Sequence, residues 1–290
     1  MKRERATRHL TGYLFLLPYL VLFLTFLVLP LLVGLGLSFT QYELLSPLPV
    51  AFVGLGNYIE AFKDERFRWA LGATAWFVVM CVPVTLVLAM LLALGINAIS
   101  PRRSWFYRVA IFVPTMITIS VAALVWRWFY NAEFGVFNEI LGVFGLKAPW
   151  ITDKWWAMPS IVLMTVWWTV GTPTLILLAG LKQIPPSFYE AAAIDGATGP
   201  TRFFQITLPL LRPVLLFVFV TYTIGAFQVF GQTYMITEGG PVLSTRVLVQ
   251  YIYETAFNNY RLGYGAAMSW ILFVIIAAVS IVTFKVLKED

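Results

Sequence analysis

Six long runs without a charged residue dominate this chain: His9–Tyr42, Trp69–Pro101, Val109–Trp126, Trp155–Leu181, Pro213–Thr237 and Leu262–Phe284. About 20 residues of helix cross a hydrocarbon core of roughly 30 Å. Five runs clear that length, and Val109–Trp126 reaches it once the Arg127 side chain extends to the interface. Barrel strands would alternate apolar and polar residues, and these runs do not. Charged residues make up 12% of the chain, against about 25% in soluble domains. The expectation is an all-α integral membrane protein with six transmembrane helices.

Charge sets the sidedness. With both termini inside, twelve Lys and Arg residues fall in inner segments, among them Lys2, Arg3, Arg5, Arg8, Arg102, Arg103, Lys182 and Arg202. Seven fall in outer segments, and the acidic residues divide five inside to nine outside. Basic excess marks the cytoplasmic side, so both termini are expected there. The net charge of +6 thereby reads as membrane sidedness, and no basic patch interleaved with aromatics suggests nucleic acid. The first apolar block is too long for the core of a signal peptide and lacks a small-residue cleavage site. Cys81 is the one cysteine, which leaves no disulfide frame or cysteine-based metal site. His9 reads as a surface residue near lipid headgroups.

In this topology the segments near 41–68, 131–154 and 238–261 face outward. Trp128, Tyr130, Trp150, Trp155 and Trp156 then crowd the outer ends of helices three and four, as an interfacial aromatic belt does. Arg127 either anchors at that interface or serves an interhelical or pathway role. No Asp or Glu lies within a span, which weakens a proton-coupled carrier. No GxxxxGK[ST] phosphate loop is present either, so any use of ATP runs through a partner.

The segment 182–212 is polar and turn-rich between two spans, and falls in the cytoplasm. Ser187 followed by Glu190 fits a capping box after Pro185-Pro186. The alanines 191–193 favour helix, Gly196 can stop it in the left-handed conformation, and Pro200 suits the first turn of a second short helix. That second helix is expected to run toward Ile206 and break near Pro209. Ala191 and Ala192 leave little bulk, so a partner surface can approach closely. An ordinary amphipathic loop lying on the membrane is the plain alternative.

Glu190-Ala191-Ala192, Gly196 and Ile206-Thr207-Leu208-Pro209, at these spacings, resemble the cytoplasmic signature of permease subunits of bacterial binding-protein-dependent ABC importers. Within that superfamily the chain is similar to the MalF-like permeases of carbohydrate importers. Phe52-Val53-Gly54-Leu55-Gly56-Asn57-Tyr58 resembles the stretch after the family's first helix. Thr237-Glu238-Gly239-Gly240-Pro241, Ser244-Thr245 and Tyr253-Glu254-Thr255-Ala256-Phe257 resemble the stretch between its last two. The sequence has no counterpart of the maltose permease's extra N-terminal helices or large periplasmic insertion, so contacts made through them are not carried over.

The resemblance implies a MetI/MalF-like permease fold over 1–290, a single transmembrane domain in the bacterial cytoplasmic (inner) membrane. It implies a coupling helix docked on a cytoplasmic ATPase, with Glu190 meeting a basic residue there and Gly196 holding the turn. Glu190 would otherwise be engaged by its own helix cap. The implied partners are a MalG-like second permease, two cytoplasmic ATPase subunits that carry ATP and Mg, and an extracellular solute-binding protein. No cofactor is expected on this chain, which is a transporter subunit and not an enzyme.

Family positions that contact sugar fall here on Thr165, Trp168, Thr169 and Thr172 of helix four, and on Tyr222, Gly225, Ala226 and Val229 of helix five. Each set has the spacing i, i+3, i+4, i+7 of one helical face. Trp168 offers a ring for the apolar side of a pyranose, and three threonines offer hydroxyls. Helix five lacks the family's asparagines, and Gln228 beside it can supply an amide. The alternative is that Trp168 and the threonines pack against neighbouring helices. Pro173 is expected to kink helix four, and Gly265 and Ser269 to mediate helix contact. A secondary carrier and a non-transporting membrane scaffold are the competing functions.

Overall fold

The protein is described by a computed structural model covering residues 15–47 and 49–288. The expectations for Lys2, Arg3, Arg5, Arg8 and His9 lie outside the described residues. Helix α1 (Phe15–Ser38) is followed by a small antiparallel hairpin, β1 (Thr40–Gln41) and β2 (Ala51–Phe52), with Thr40 opposite Phe52. Then come α2 (Gly56–Lys63), α3 (Glu65–Asn97), α4 (Pro101–Phe112), α5 (Ile119–Phe129), α6 (Val136–Gly142), α7 (Lys154–Thr169) and α8 (Gly171–Gln183). The chain ends with α9 (Pro186–Ile194), α10 (Gly199–Phe227), α11 (Gly231–Ile236), α12 (Leu248–Tyr253) and α13 (Leu262–Lys288).

Helices α1, α3, α10 and α13 are long and apolar enough to cross a membrane unbroken. Two further spans are bent pairs, α4 with α5 at 95° and α7 with α8 at 49°. Unbroken helices alone give four spans, and counting each bent pair as one span gives six, the number expected from sequence. Proline chemistry explains both breaks. Pro114 has no N–H to donate to the preceding turn, and Val113–Met116 tightens to a 3-10 turn before Ile117 and Thr118 run extended. Pro173 frees the Thr169 carbonyl and its ring presses on it, which gives the kink expected in helix four. Gly171 lies at that kink, where a Cβ would collide with the Ile111 carbonyl of α4.

The chain forms two compact units. One comprises the described residues up to Asp64 together with Ile252–Phe273. Within it the Asn57 side chain donates to the carbonyls of Ser38 (2.9 Å) and Thr40 (2.8 Å), closing the end of α1. Arg261 pairs with Glu60 at 2.8 Å and Glu43 at 3.5 Å and lies over the Tyr264 ring. Gly265 is buried, and a Cβ there would sit 2.7 Å from that of Ala256, so this glycine does permit a close approach. Ser269 is exposed, its hydroxyl donating to the Gly265 carbonyl within its own helix.

The second unit holds Glu65–Tyr251 with the chain from Val274 onward. Its centre is α3, which packs against α7, α8 and α10. Phe67, Ala70, Thr74, Phe77, Cys81, Thr85, Ala89 and Ala93 form one buried stripe along it. Most are small, which lets neighbouring backbones approach where lipid offers no hydrophobic gain for association. Trp69, Trp76, Val84 and Leu91 point away from that stripe and are exposed.

The aromatic belt needs correction. Trp128, Trp155 and Trp156 are exposed as expected, but Tyr130 is 1% exposed and donates its hydroxyl to the Ser160 carbonyl at 2.6 Å. Trp150 is half-buried, its ring 5.5 Å from that of Tyr130, and its indole donates to Asn138 at 3.1 Å. The buried Asn138 amide also exchanges hydrogen bonds with Ala148, folding the 131–153 loop onto itself. A buried hydroxyl and indole N–H each need such a partner.

Candidate functional site

The segment 182–212 is built around α9. Pro186 occupies its first turn and Pro185 is extended (φ −60°, ψ 134°), as a residue before proline must be. The helix therefore starts before Ser187, and no side-chain cap forms. The expected capping box is absent, because Ser187 lies inside the helix and not at its boundary. Glu190 is exposed on the helix surface and free of that role.

The end of α9 is as the sequence suggests. Gly196 has φ +76°, the Ala197 N–H bonds to the Ala192 carbonyl at 2.9 Å, and the Gly196 N–H to Ala193 at 3.2 Å. This paired closure satisfies two carbonyls the helix would leave open. A Cβ on Gly196 would meet nothing within 4 Å, so backbone conformation alone selects glycine there. Of the two alanines, Ala191 is exposed and Ala192 is buried, so only Ala191 offers a partner close approach.

The second helix is not a separate short element. It is the first part of α10, continuous from Gly199 to Phe227. A π turn at Phe203–Thr207, in which the Leu208 N–H reaches the Phe203 carbonyl, carries the helix past Pro209 without a break. Ile206 and Leu208 are half-buried and Pro209 is exposed. Tyr189 and Thr207 hydroxyls lie 3.0 Å apart and tie α9 to the turn. Glu190 also lines a cleft of about 560 Å³ with Lys182, Tyr189 and Arg202. Sequence reasoning passed over Phe188, Phe204 and Ile194, all exposed, Ile194 at 87%. Their signal was apolar residues inside an otherwise polar segment.

Within the membrane-spanning part, a cavity of about 360 Å³ is lined by Trp168, Thr169, Thr172 and Tyr222 from the two expected faces. Thr115 at the α4–α5 break and Thr221 on α10 complete its polar lining, and neither was anticipated. Other expected residues do not reach it. Thr165 is buried and donates to the Ile161 carbonyl; Ala226 and Val229 are buried; Gly225 and Gln228 are exposed away from the lining. The helix-five face thus contributes through Tyr222.

Hydrogen bonds fix most of this lining. The Trp168 indole donates to the Ile117 carbonyl at 2.9 Å, satisfying backbone that the α4–α5 break leaves open. Thr169 donates to the Thr165 carbonyl at 2.7 Å, so its oxygen accepts from the Tyr222 hydroxyl 2.7 Å away. Tyr222 in turn accepts from Thr85 at 2.9 Å, with Cys81 at 3.6 Å. A directed chain of hydroxyls therefore joins α3, α10 and α7. Among the described residues Thr172 is exposed and its hydroxyl makes no hydrogen bond. The packing reading holds for the indole N–H and for Thr169, which are engaged structurally, while Thr172 lines the cavity with its hydroxyl unengaged among the described residues.

Arg127 is half-exposed, pairs with Glu238 at 3.4 Å and donates to the Met235 carbonyl at the end of α11. The interhelical reading holds for it.

The family model for the binding-protein-dependent transport system inner membrane component matches residues 61–288. A probable ABC transporter permease, YesP of Bacillus subtilis, is 38% identical over 98% of this chain and 93% of its own length. The sulfoquinovosyl glycerol transport system permease SmoG of Agrobacterium fabrum is 35% identical over 96% of this chain and 91% of its own. A bacterial alginate ABC transporter, crystallised with an alginate pentasaccharide-bound periplasmic protein, superposes with a TM-score of 0.84 at 25% identity. The superposition covers 97% of this chain and 94% of that one.

Proposed function

The chain belongs to the family of binding-protein-dependent transport system inner membrane components, and from that premise we propose that it conducts a carbohydrate through an ATP-driven importer. The observation that carries this reading is the cavity between α7 and α10, where Trp168 and Tyr222 supply aromatic faces beside the open hydroxyl of Thr172. Aromatic faces suit the apolar C–H side of a sugar ring, and hydroxyls suit its edge. Relatives whose names specify a glycosyl glycerol or an alginate pentasaccharide support a glycoside or oligosaccharide as cargo.

In this reading the chain is one transmembrane domain of the cytoplasmic membrane, with both termini inside. It pairs with a MalG-like permease and takes its substrate from an extracellular binding protein. Two cytoplasmic ATPase subunits hold ATP and Mg and grip α9, with Glu190 against a basic residue and Ala191 at the contact. Closure of those subunits moves the paired permeases from inward- to outward-facing, and hydrolysis resets them. The exposed Glu190 and the glycine-closed end of α9 support that docking role.

The test is sugar uptake into proteoliposomes holding the assembled complex. Trp168→Ala should lower uptake by about tenfold, the scale of losing one aromatic contact with its buried area. Trp168→Phe should retain more, since it keeps a ring and loses only the N–H to Ile117. Unchanged uptake in Trp168→Ala would remove the sugar contact. Ion-driven flux by this chain without any ATPase would overturn the importer reading itself.

A further inference from the structure

The outward face of α3 carries a second, larger recess that the transport cavity does not use. Trp69, Gly72, Ala73 and Trp76 recur at i, i+3, i+4, i+7, so they share one helical face. With Trp155 of α7 they line a groove of about 940 Å³. Its three tryptophans are 55–75% exposed, and Gly72 and Ala73 lie between Trp69 and Trp76 in its lining. Two cations stand at the same groove, Arg68 and Lys154, together with Glu65. All three lie at the first turns of α3 and α7, where apolar helix gives way to loop.

We infer that this groove is a binding site for one anionic phospholipid. Its phosphate would lie between Arg68 and Lys154, and an acyl chain would run over Gly72 and Ala73 between the tryptophans. Tryptophan settles at headgroup depth, and basic side chains there attract anionic headgroups. The Lys154 ammonium lies 5.0 Å from the Trp155 ring centroid and has no carboxylate partner among the described residues. Asp153 beside it is already engaged, accepting from the Trp155 and Trp156 N–H groups as the cap of α7. A protein helix covering the groove would have to bring an acid for that lysine, whereas a phosphate supplies the charge itself. Val242 and Leu243 at the groove, at φ 50° and 61°, present apolar side chains outward, Val242 at 89% exposure. Lipid accommodates that exposure and water does not.

Native mass spectrometry of the assembled importer, exchanged into phosphatidylglycerol or phosphatidylcholine, tests the assignment. Wild type should retain phosphatidylglycerol in preference to phosphatidylcholine. Lys154→Gln should weaken that retention about fivefold, the scale of one basic residue at an anionic surface. Arg68→Gln should weaken it less, because Glu65 stands 3.9 Å away and offsets its charge. Gly72→Trp should displace the lipid by filling the groove at a point where a Cβ meets no atom within 4 Å. Equal retention of the two lipids, or no change in Lys154→Gln and Gly72→Trp, would overturn the inference. So would cross-linking of a Gly72→Cys variant to the second permease, which would make the groove a subunit contact.

Discussion

The cavity between α7 and α10 and the exposed helix α9 handle their polar groups in opposite ways. In the cavity, Thr85, Tyr222, Thr169 and the Thr165 carbonyl satisfy one another in sequence, and Trp168 satisfies Ile117. One hydroxyl, that of Thr172, is left over. On α9 the backbone closes through Gly196 and Tyr189 bonds to Thr207, while Glu190, Phe188 and Ile194 are exposed. Low dielectric explains the contrast, because an unpaired hydroxyl inside a span is costly and an exposed carboxylate in water is not.

The sharpest break in that comparison comes at Gly196. Its φ of +76° disfavours a β-branched side chain by about 1–3 kcal/mol, although no neighbouring atom stands in the way. Gly196→Val should therefore misdirect the end of α9 and lower sugar-stimulated ATP hydrolysis by about tenfold or more. Membrane insertion and the cavity should be unaffected. Gly196→Asn, which tolerates the left-handed region, should keep most of the coupling. Stimulated hydrolysis at the wild-type rate in Gly196→Val would remove α9 from the docking interface.

Of these two regions, α9 was the more legible in sequence, and the reason is local chemistry. A glycine after an alanine-rich turn announces a helix end whatever lies around it. Even there, Pro185-Pro186 outranked the Ser187–Glu190 pattern, because a proline pair fixes backbone angles that a side-chain cap only favours. Pro209 misled in the other direction: a π turn absorbed it, and nothing in the residues alone announced that turn. The apolar runs were readable from composition, but not the 95° break in the third, although Pro114 lies within that run. What holds that break is Trp168, 51 residues further on in the chain. Tyr130 and Trp150 failed as belt residues for the same reason, since their partners Ser160 and Asn138 are supplied by tertiary folding. Of the two expected faces, Trp168, Thr169, Thr172 and Tyr222 line one cavity and the other residues do not, because a helical face continues past the point where the neighbouring helix stops facing it.

A smaller effect is expected at Tyr222. Tyr222→Phe keeps the aromatic wall and removes the hydroxyl that links Thr85 to Thr169. Thr85 is fully buried and would lose its acceptor. Hydrogen bonds between helices in membranes contribute about 0.6–1.7 kcal/mol each. The variant should show a lower thermal inactivation temperature, with the sugar concentration at half-maximal uptake unchanged. A shift in that concentration at unchanged thermal stability would mean the hydroxyl meets the sugar directly.

Thr172 should behave in the reverse manner, by the smallest amount. Its hydroxyl has no partner among the described residues, so Thr172→Val removes no hydrogen bond seen there and nearly conserves shape. Stability should be unchanged within about 0.5 kcal/mol, as for a surface substitution. Uptake should instead need about threefold more substrate, which corresponds to one neutral hydrogen bond to the cargo. The pair of variants thereby separates hydroxyls that hold helices from the one left to greet a ligand. If Thr172→Val lowered stability and left uptake untouched, Thr172 would join the packing set, and the cavity would recognise its cargo through the Trp168 and Tyr222 faces with Thr115 and Thr221.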